Sequence, residues 1–237
     1  PIIVEGKESN NFKVTSEDIK NKISEKTKWI IINSPSNPTG SSYTKNELED
    51  LGNLLLDFEN IFIMSDDIYE KIIYDDFKFF SLAEVVPKLK DRILTVNGVS
   101  KAYAMTGWRI GYAGGPKALI SAMAKLQSQS TSNPSSISQA AALAALEGPE
   151  EFLSERNDKF RIRRDMVVDM LNNCVGLSCL KPSGAFYVYP SCSGIIGKST
   201  SNGKIIANPI DFSSYSTSDG ILEEACKRIK KACEQLN

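Results

Sequence analysis

Short apolar runs alternate with longer amphipathic stretches along the chain. Four of these runs predict buried strands, at residues 29–33, 61–64, 92–96 and 109–113. Two further strands are predicted at residues 1–4 and 185–189. Strands that alternate with helices are typical of an α/β fold, so the pattern predicts a mostly parallel, doubly wound sheet.

Capping signals mark where the first helices begin. Thr15 with Asp18, and Thr44 with Glu47, have the spacing of a capping box, in which the N-cap residue and the third helical residue bond reciprocally. We therefore expect helices to follow Thr15 and Thr44. The second helix has an apolar face, which comprises Leu48, Leu51, Leu55 and Phe58.

Later helices are predicted from apolar periodicity. Pro116 suits the first turn of a helix that runs to about residue 127. The other predicted helices are an Ala-rich one at 138–147, an amphipathic one at about 151–173, and a last one from about 218.

Gly148 and Pro149 break the helical pattern between two of these helices. We place a domain boundary there. It divides the chain into a large domain at residues 1–148 and a smaller α+β C-terminal domain at residues 149–237.

The composition excludes several classes of function. The 237 residues include 28 basic and 29 acidic side chains, and the net charge of −1 gives no footprint for nucleic acid or membrane surfaces. No apolar run is long enough to cross a bilayer and nothing resembles a signal peptide, so a cytoplasmic location is expected. The chain has no histidine, which excludes Ser-His-Asp and Cys-His catalysis within it and argues against a metal site. The five cysteines form no Cys-x-x-Cys pair and indicate no disulfide framework.

Three polar clusters directly follow predicted strands. They occupy residues 33–40, 65–70 and 97–109. In open α/β sheets, ligands bind outside the carboxyl ends of the parallel strands. The three clusters are therefore expected to converge on one crevice.

The third cluster sets Lys101 eight residues before Arg109. A neutral lysine amine attacks carbonyl groups, whereas arginine stays charged and offers a planar fork that matches phosphate oxygens. Taken singly, the two would be a loop lysine and a surface cation. Together with the other clusters, they suit pyridoxal 5′-phosphate (PLP), a cofactor that needs both groups.

The ordered clusters resemble the fold-type I PLP-dependent aminotransferases, and specifically the bacterial aspartate aminotransferase branch of class I. The motifs that carry the resemblance are Asn37-Pro-Thr-Gly40, Ser65-Asp-Asp-Ile-Tyr69 and the segments 97–111, 127–134 and 181–190. The resemblance implies the PLP-transferase fold of type I and PLP as the cofactor. It also implies amino acids and 2-oxo acids as ligands, and a homodimer.

The resemblance also assigns roles to individual residues. Lys101 would bind PLP covalently and then act as acid and base, and Arg109 would hold the phosphate. Asp66 would face the pyridine nitrogen, and it is preferred over Asp67 because the family has Asp-x-x-Tyr spacing, which pairs it with Tyr69. Tyr69 and Asn37 would meet the phenolic oxygen of the cofactor.

Fewer residues are implied for the substrate. Asn37 and Phe186 would border the substrate pocket, and Asn133 corresponds to a position near the partner subunit's site. Ser128 stands where eukaryotic-type aspartate aminotransferases have an arginine for the distal carboxylate. Gly98 stands where many relatives have a phosphate-binding serine.

The chain is shorter than the family's usual length of roughly 400 residues, a size that fits several domain-sized units. The resemblance implies that an N-terminal part, which includes a phosphate-binding helix N-terminus, is missing before Pro1. It also implies a missing segment near residues 212–213 that ends with the arginine for the substrate α-carboxylate, either left out of the sequence as given or deleted from the protein.

The expected activity is transfer of the amino group of aspartate to 2-oxoglutarate by a ping-pong mechanism. Glutamate–prephenate or broader aromatic aminotransferase activity is the nearest alternative, because it uses the same catalytic groups. A non-catalytic, PLP-binding regulatory domain is an alternative of another class. A remnant without cofactor would place Lys101 and Asp66 too far apart to serve one ring.

Overall fold

A computed structural model describes residues 1–200 and 203–216 of the chain. Its central sheet has four strands in the order β1-β2-β3-β4, with β1 to β3 parallel and β4 antiparallel to β3. The strands are β1 (Trp29–Asn33), β2 (Phe62–Asp66), β3 (Ile93–Gly98) and β4 (Gly111–Gly114). The predicted α/β class and its mostly parallel sheet are confirmed, and each of these strands lies within two residues of its predicted bounds.

Seven α-helices accompany the strands in the described part of the chain. They are α1 (Ser16–Lys20), α2 (Lys45–Leu56), α3 (Leu82–Val85), α4 (Lys117–Ser130), α5 (Ser136–Glu147), α6 (Glu151–Asn172) and α7 (Pro209–Ser216). Both predicted capping boxes form, at Thr15 and at Thr44. Pro116 is the N-cap residue of α4 and so lies one residue before the helix. None of the described helices combines the length and the apolar sequence that crossing a membrane requires.

The main core lies between one face of the sheet and helices α1 to α3. Its buried residues are Ile19, Ile32, Leu48, Leu51, Leu55, Ile63, Leu82, Val86, Leu89 and Ile93. Ile31, on the opposite face of β1, is 65% exposed because successive side chains of a strand point to opposite sides. Phe58, predicted on the apolar face of α2, lies beyond the end of that helix and is half-buried.

The chain forms two compact units. The first comprises Pro1–Val167 and Leu180–Tyr189 and contains the four-stranded sheet. The second comprises Val168–Cys179 and Pro190–Asn237; in its described part, β5 (Ser178–Cys179) pairs antiparallel with β6 (Pro190–Ser191). The division at residue 148 stays a prediction.

Two strand predictions are wrong. Residues 1–4 are mostly exposed and pair with no described strand. Residues 185–189 begin with Ala185 in the left-handed region, at a φ of 56°, and this interrupts the extended conformation of a strand. Strand β6 begins only at Pro190. The predicted helix from about residue 218 lies outside the described residues.

Arg164 of α6 holds the segment Leu180–Tyr189 in place. Its guanidinium group is buried and donates to both carboxylate oxygens of Asp75, at 2.9 and 3.2 Å, and to the carbonyl of Pro182 at 2.9 Å. It also lies 4.7 Å from the centre of the Tyr74 ring. The hydrogen bonds from Arg164 lower the pKa of the Asp75 carboxyl group. Arg164 therefore links α6 to the loop around Asp75 and to the segment that contains Pro182.

Asp67 follows the last residue of β2 and is 3% exposed. The Ser65 hydroxyl donates to its carboxylate at 2.7 Å. Burial raises the pKa of the Asp67 carboxyl group to about 6, although the bond from Ser65 opposes the rise. The charged form of this side chain is therefore less favourable in the folded protein than in the unfolded chain.

We expect Arg164→Met to lower the free energy of unfolding by about 1–3 kcal/mol, because it leaves the Pro182 carbonyl and the Asp75 carboxylate without their shared donor. Arg163→Met is the matched control, since the neighbouring side chain is exposed and should contribute less than about 0.5 kcal/mol. Urea unfolding measures both values. Equal losses in the two variants would contradict the structural role of Arg164.

We expect Asp67→Asn to change how stability depends on pH. The pKa of Asp67 is higher in the folded protein than in the unfolded chain. Its contribution to the free energy of unfolding is therefore fully present below the unfolded pKa, near 4, and is lost as the pH rises through about 6. Asparagine stays neutral and does not have this loss. The free energy of unfolding of the variant, relative to that of the parent, should therefore rise by about 2 kcal/mol between about pH 4 and pH 7.

The measurement is urea unfolding at a series of pH values. Asp76→Asn serves as the control, since Asp76 is exposed. A constant difference between Asp67→Asn and the parent across this range would show that burial of Asp67 does not disfavour its charge.

Candidate functional site

Asn33 organises the carboxyl edge of the parallel strands. It ends β1 directly opposite Asp66, the last residue of β2. Its amide nitrogen donates to the Asp66 carbonyl at 2.9 Å, and its amide oxygen accepts from the backbone N–H of Asn37 at 2.7 Å. The loop that carries Asn37 is thereby fixed beside Asp66.

Glycines allow this loop to pack closely against the segment Leu180–Tyr189. Gly40 has a φ of 68°, and a Cβ atom there would lie 2.4 Å from the Cβ of Pro182. A Cβ atom on Gly184 would lie 2.6 Å from the ring of Pro35. The Gly184 N–H donates to the Gly40 carbonyl at 2.9 Å. Side chains at either position would push the two segments apart.

Tyr69 lies at the centre of the site. It is 2% exposed, and its hydroxyl oxygen is 2.7 Å from that of Tyr187. Its ring meets Phe186 edge-on, with 5.5 Å between the ring centres. The Lys101 Nζ atom is 5.9 Å from the centre of the Tyr69 ring and 6.0 Å from that of Phe186. Three separate parts of the sequence therefore meet here.

Lys101 lies in the turn that follows β3. Val99 and Ala102 are buried on either side of it and anchor the turn in the core, while Lys101 itself is only half-buried. Within residues 1–200 and 203–216, its amine has neither a hydrogen-bond partner nor a salt bridge. A half-buried amine in this position is open to reaction with a ligand.

The surroundings of Tyr69 keep its hydroxyl protonated. Burial raises its pKa most, and the negative charges of Asp66 and of an ionised Tyr187 raise it further. The Asn37 side chain is near enough to oppose this rise. Asp66 and Asn37 therefore both act on the Tyr69 hydroxyl, which remains a hydrogen-bond donor at neutral pH.

Asp66 and Asp67 differ in accessibility. Asp66 is half-buried, and one of its carboxylate oxygens accepts from the Ile68 N–H at 3.3 Å. Asp67 is buried and bonded to Ser65. Because the two side chains leave the end of β2 on opposite sides, the Asp66 carboxylate is the one placed near Tyr69.

Arg109 lies at the far end of the loop that begins with Lys101. It caps the 3-10 turn Thr106–Trp108 with a φ of 55°, and its guanidinium group donates to the Thr106 carbonyl at 3.1 Å. The side chain is exposed and makes no salt bridge with a described residue. The Thr106 hydroxyl donates to the Ser100 carbonyl at 3.1 Å, which ties the loop back to the residue before Lys101.

The other predicted residues differ in their relation to the site. Phe186 is brought against Lys101, as described above. Ser128 and Asn133 are exposed and bond within their own segments, to the carbonyls of Lys125 and Pro134. Gly98 lies in β3 opposite Gly111.

Two contributors were not predicted as site residues. Asn33 was visible in the polar cluster after β1, and only its bonds to Asn37 and Asp66 reveal its role. Tyr187 falls within the strand predicted at residues 185–189, and that prediction gives it no role in the site. Its contact with Tyr69 joins residues 118 positions apart, so no local pattern could reveal it.

The arrangement fits a ring cofactor that carries an aldehyde, a basic ring nitrogen and a phenolic oxygen. The Lys101 amine can attack an aldehyde, the Asp66 carboxylate can accept from a protonated ring nitrogen, and Tyr69 and Asn37 can donate to a phenolic oxygen. The Lys101 amine lies 5.9 Å from the centre of the Tyr69 ring, and the charge of Asp66 acts on the same side chain, which does not favour a remnant in which the two groups are far apart. The described residues thus fit PLP.

Comparisons with known proteins agree with this chemistry. A profile of the family described as "Aminotransferase class I and II" matches residues 1–225. A relative from Rickettsia typhi, named "Probable aspartate/prephenate aminotransferase", is 49% identical over 261 aligned positions that include the whole chain. That alignment is longer than the chain, so the relative has residues at internal positions where this chain has none.

Two solved structures are similar to the chain. The aspartate aminotransferase from Rhizobium meliloti has a TM-score of 0.91 at 46% identity, over 99% of this chain and 65% of that one. The aspartate aminotransferase from Thermus thermophilus with maleate has a TM-score of 0.79 at 37% identity, over 97% of this chain and 63% of that one.

The chain spans about two thirds of the length of its relatives, at 65% of the Rickettsia typhi protein. The match to the family nevertheless runs through nearly all of it. The polar clusters after β1, β2 and β3 that suggested PLP lie within the matched residues. This chain therefore belongs to the class I and II aminotransferase family.

Proposed function

We propose that the whole protein is a PLP-dependent aminotransferase that converts L-aspartate and 2-oxoglutarate to oxaloacetate and L-glutamate by a ping-pong mechanism. One observation carries the proposal. The half-buried amine of Lys101 has no partner among the described residues and lies against Tyr69, where Asp66 and Asn37 also act.

PLP is the cofactor of this family, and when bound it supplies an electron sink for the carbon that loses a proton. The Asp66 carboxylate would sit beside the ring nitrogen. An opposite charge within hydrogen-bonding distance raises the pKa of that nitrogen and keeps it protonated. The side chain is suited to this task because it is accessible, unlike that of Asp67.

Lys101 would hold the cofactor and move the reacting proton. As a general base its amine would take a proton from the substrate Cα, and as a general acid it would deliver a proton in the same site. The rings of Tyr69 and Phe186 lie on one side of this amine, with their centres 5.9 and 6.0 Å from it. The same rings limit the positions that the lysine side chain can take.

Three further groups would orient the cofactor. The Tyr69 hydroxyl and the Asn37 amide would donate to its phenolic oxygen. Arg109 would bind the phosphate, because its guanidinium is exposed and uses only the Thr106 carbonyl as a partner among the described residues. A charged, planar fork of N–H donors is well matched to phosphate.

The aspartate preference is supported by relatives. Both structures compared above are named aspartate aminotransferases, and one was solved with maleate, a dicarboxylate like aspartate and 2-oxoglutarate. Asn37 and Phe186 would border the substrate. Phe186 is 41% exposed and faces the Lys101 amine, which suits contact with a ligand.

Prephenate or an aromatic substrate is the second candidate. The Rickettsia typhi relative is named for prephenate as well as aspartate. The rings of Tyr69, Phe186 and Tyr187 form one aromatic cluster beside Lys101, where another ring could pack.

The expected partners follow from the same proposal. They are small amino acids and 2-oxo acids, with a homodimer as the assembly and the cytoplasm as the location. A PLP-binding regulatory domain without turnover remains the alternative of another class. Multiple turnovers of an amino donor would exclude it.

We expect Asp66→Asn in the full-length protein to lower kcat for transamination by about 10²–10³, because a preorganised charge at the reacting group is lost. Asp67→Asn is the matched control, since it makes the same change one residue further on and should retain most of the activity. Steady-state kinetics with aspartate and 2-oxoglutarate measures both. If Asp67→Asn were the more damaging change, the assignment of Asp66 would be wrong.

A comparison of substrates tests the specificity. With 2-oxoglutarate as acceptor we expect kcat/KM for aspartate to exceed that for phenylalanine and tyrosine, because a site that pairs with a second carboxylate rejects donors that lack one. Prephenate with glutamate as donor is measured alongside. A higher kcat/KM for prephenate would reverse the order of the two candidates while leaving the aminotransferase assignment intact.

A further inference from the structure

The buried Tyr69 hydroxyl is hydrogen-bonded to the hydroxyl of Tyr187. The two hydroxyl oxygens are 2.7 Å apart, and either could be the donor. The rings meet edge-on with their centres 5.7 Å apart. Removal of the Tyr187 hydroxyl would therefore leave the buried hydroxyl of Tyr69 without this partner.

The direction of this hydrogen bond matters for ligand binding. A phenol has one hydrogen to donate and two lone pairs that accept. If Tyr69 donates to Tyr187, its hydrogen is used and cannot serve a ligand. If Tyr187 donates instead, the Tyr69 hydrogen is available on the side where Lys101 and Asn37 lie.

The segment that carries Tyr187 is anchored to the rest of its unit, which fixes the position of the Tyr187 hydroxyl oxygen. Its segment is bonded to the rest of the unit through Ala185, whose N–H donates to the Ile72 carbonyl at 2.8 Å and whose carbonyl accepts from the Tyr74 hydroxyl. Arg164 holds the same segment through the Pro182 carbonyl. The Tyr187 ring packs against Phe186 at 4.9 Å between centres.

We propose that Tyr187 is a positioning residue whose hydroxyl donates to Tyr69 and so directs the Tyr69 hydrogen to the phenolic oxygen of the bound cofactor. This inference rests on the proposed function. Chains of hydrogen bonds strengthen one another, so donation by Tyr187 makes Tyr69 a better donor. Tyr187 thereby acts on the cofactor through Tyr69, without contact of its own.

The consequence is a shift in the titration of the cofactor. A hydrogen bond to the phenolic oxygen withdraws negative charge from it. This would lower the pKa of the nitrogen that joins Lys101 to the cofactor, because less negative charge lies beside its proton. In Tyr187→Phe that hydrogen bond is weaker, so the nitrogen keeps its proton to higher pH. The expected upward shift is about 0.5 pH unit, the size expected for the loss of part of one neutral hydrogen bond.

The experiment is a pH titration of the visible absorption of the PLP-loaded, full-length protein. Tyr189→Phe is the matched control. It removes the same hydroxyl from a residue two positions away that packs against Phe12, at 5.2 Å between ring centres, and not against Tyr69. We expect the titration midpoint of Tyr189→Phe to stay within about 0.1 pH unit of that of the parent, since this variant loses no hydrogen bond to the site.

A second variant shows whether Tyr187 acts through Tyr69. In a Tyr69→Phe background, Tyr187→Phe should cause no further shift, because the group it acts on is gone. Thermal unfolding accompanies each variant. Since only hydroxyl groups are removed, we expect every variant to stay folded and to melt within about 4 °C of the parent.

The outcomes are distinct. An upward shift in Tyr187→Phe that disappears in the Tyr69→Phe background supports the inference. No shift beyond that of Tyr189→Phe, a downward shift, or an equal shift in both backgrounds would overturn it while leaving the proposed function standing. A parent protein that forms no covalent adduct with PLP would overturn both.

Discussion

The parallel pairing of β1 with β2 is the constraint on which the site depends. It places Asn33 opposite Asp66, and the Asn33 amide then bonds to the Asp66 carbonyl and to the N–H of Asn37. A shift of one residue in this register would turn the side chains of β1 to the other face of the sheet. The Asn33 amide would then no longer hold the Asn37 loop beside Asp66. The chemistry proposed for Lys101 needs both.

A second constraint comes from the segment Leu180–Tyr189, which closes the aromatic side of the site. The buried guanidinium of Arg164 holds this segment at Pro182. Backbone hydrogen bonds to Ile72 and Tyr74 and close glycine contacts with the Asn37 loop hold it as well. None of these groups touches the Lys101 amine. They nevertheless fix Phe186 and Tyr187, and through those rings they fix the surroundings of Lys101 and Tyr69.

Local patterns in the sequence were enough to predict the strands of the central sheet and both capping boxes, because each depends on neighbours within a few residues. The convergence of the polar clusters was expected from a general property of parallel sheets, whose ligands bind at the carboxyl ends of the strands. Residues 185–189 do not form a strand, because Ala185 lies in the left-handed region, and its N–H donates to the carbonyl of Ile72, which is distant in the sequence. The pairing of Tyr69 with Tyr187 and the bonds of Arg164 to Asp75 and Pro182 were beyond prediction for the same reason. They join residues that are distant in the sequence, and no periodicity records which distant side chains will meet.

The central claim is that the Lys101 amine is the group that reacts with the cofactor. The most direct measurement is peptide mapping by mass spectrometry after the full-length protein has been incubated with PLP and reduced with borohydride. A pyridoxyl group on the peptide that contains Lys101, in near-stoichiometric yield, is the predicted result. A pyridoxyl group on a different lysine, or no adduct on a folded full-length protein, would contradict the account.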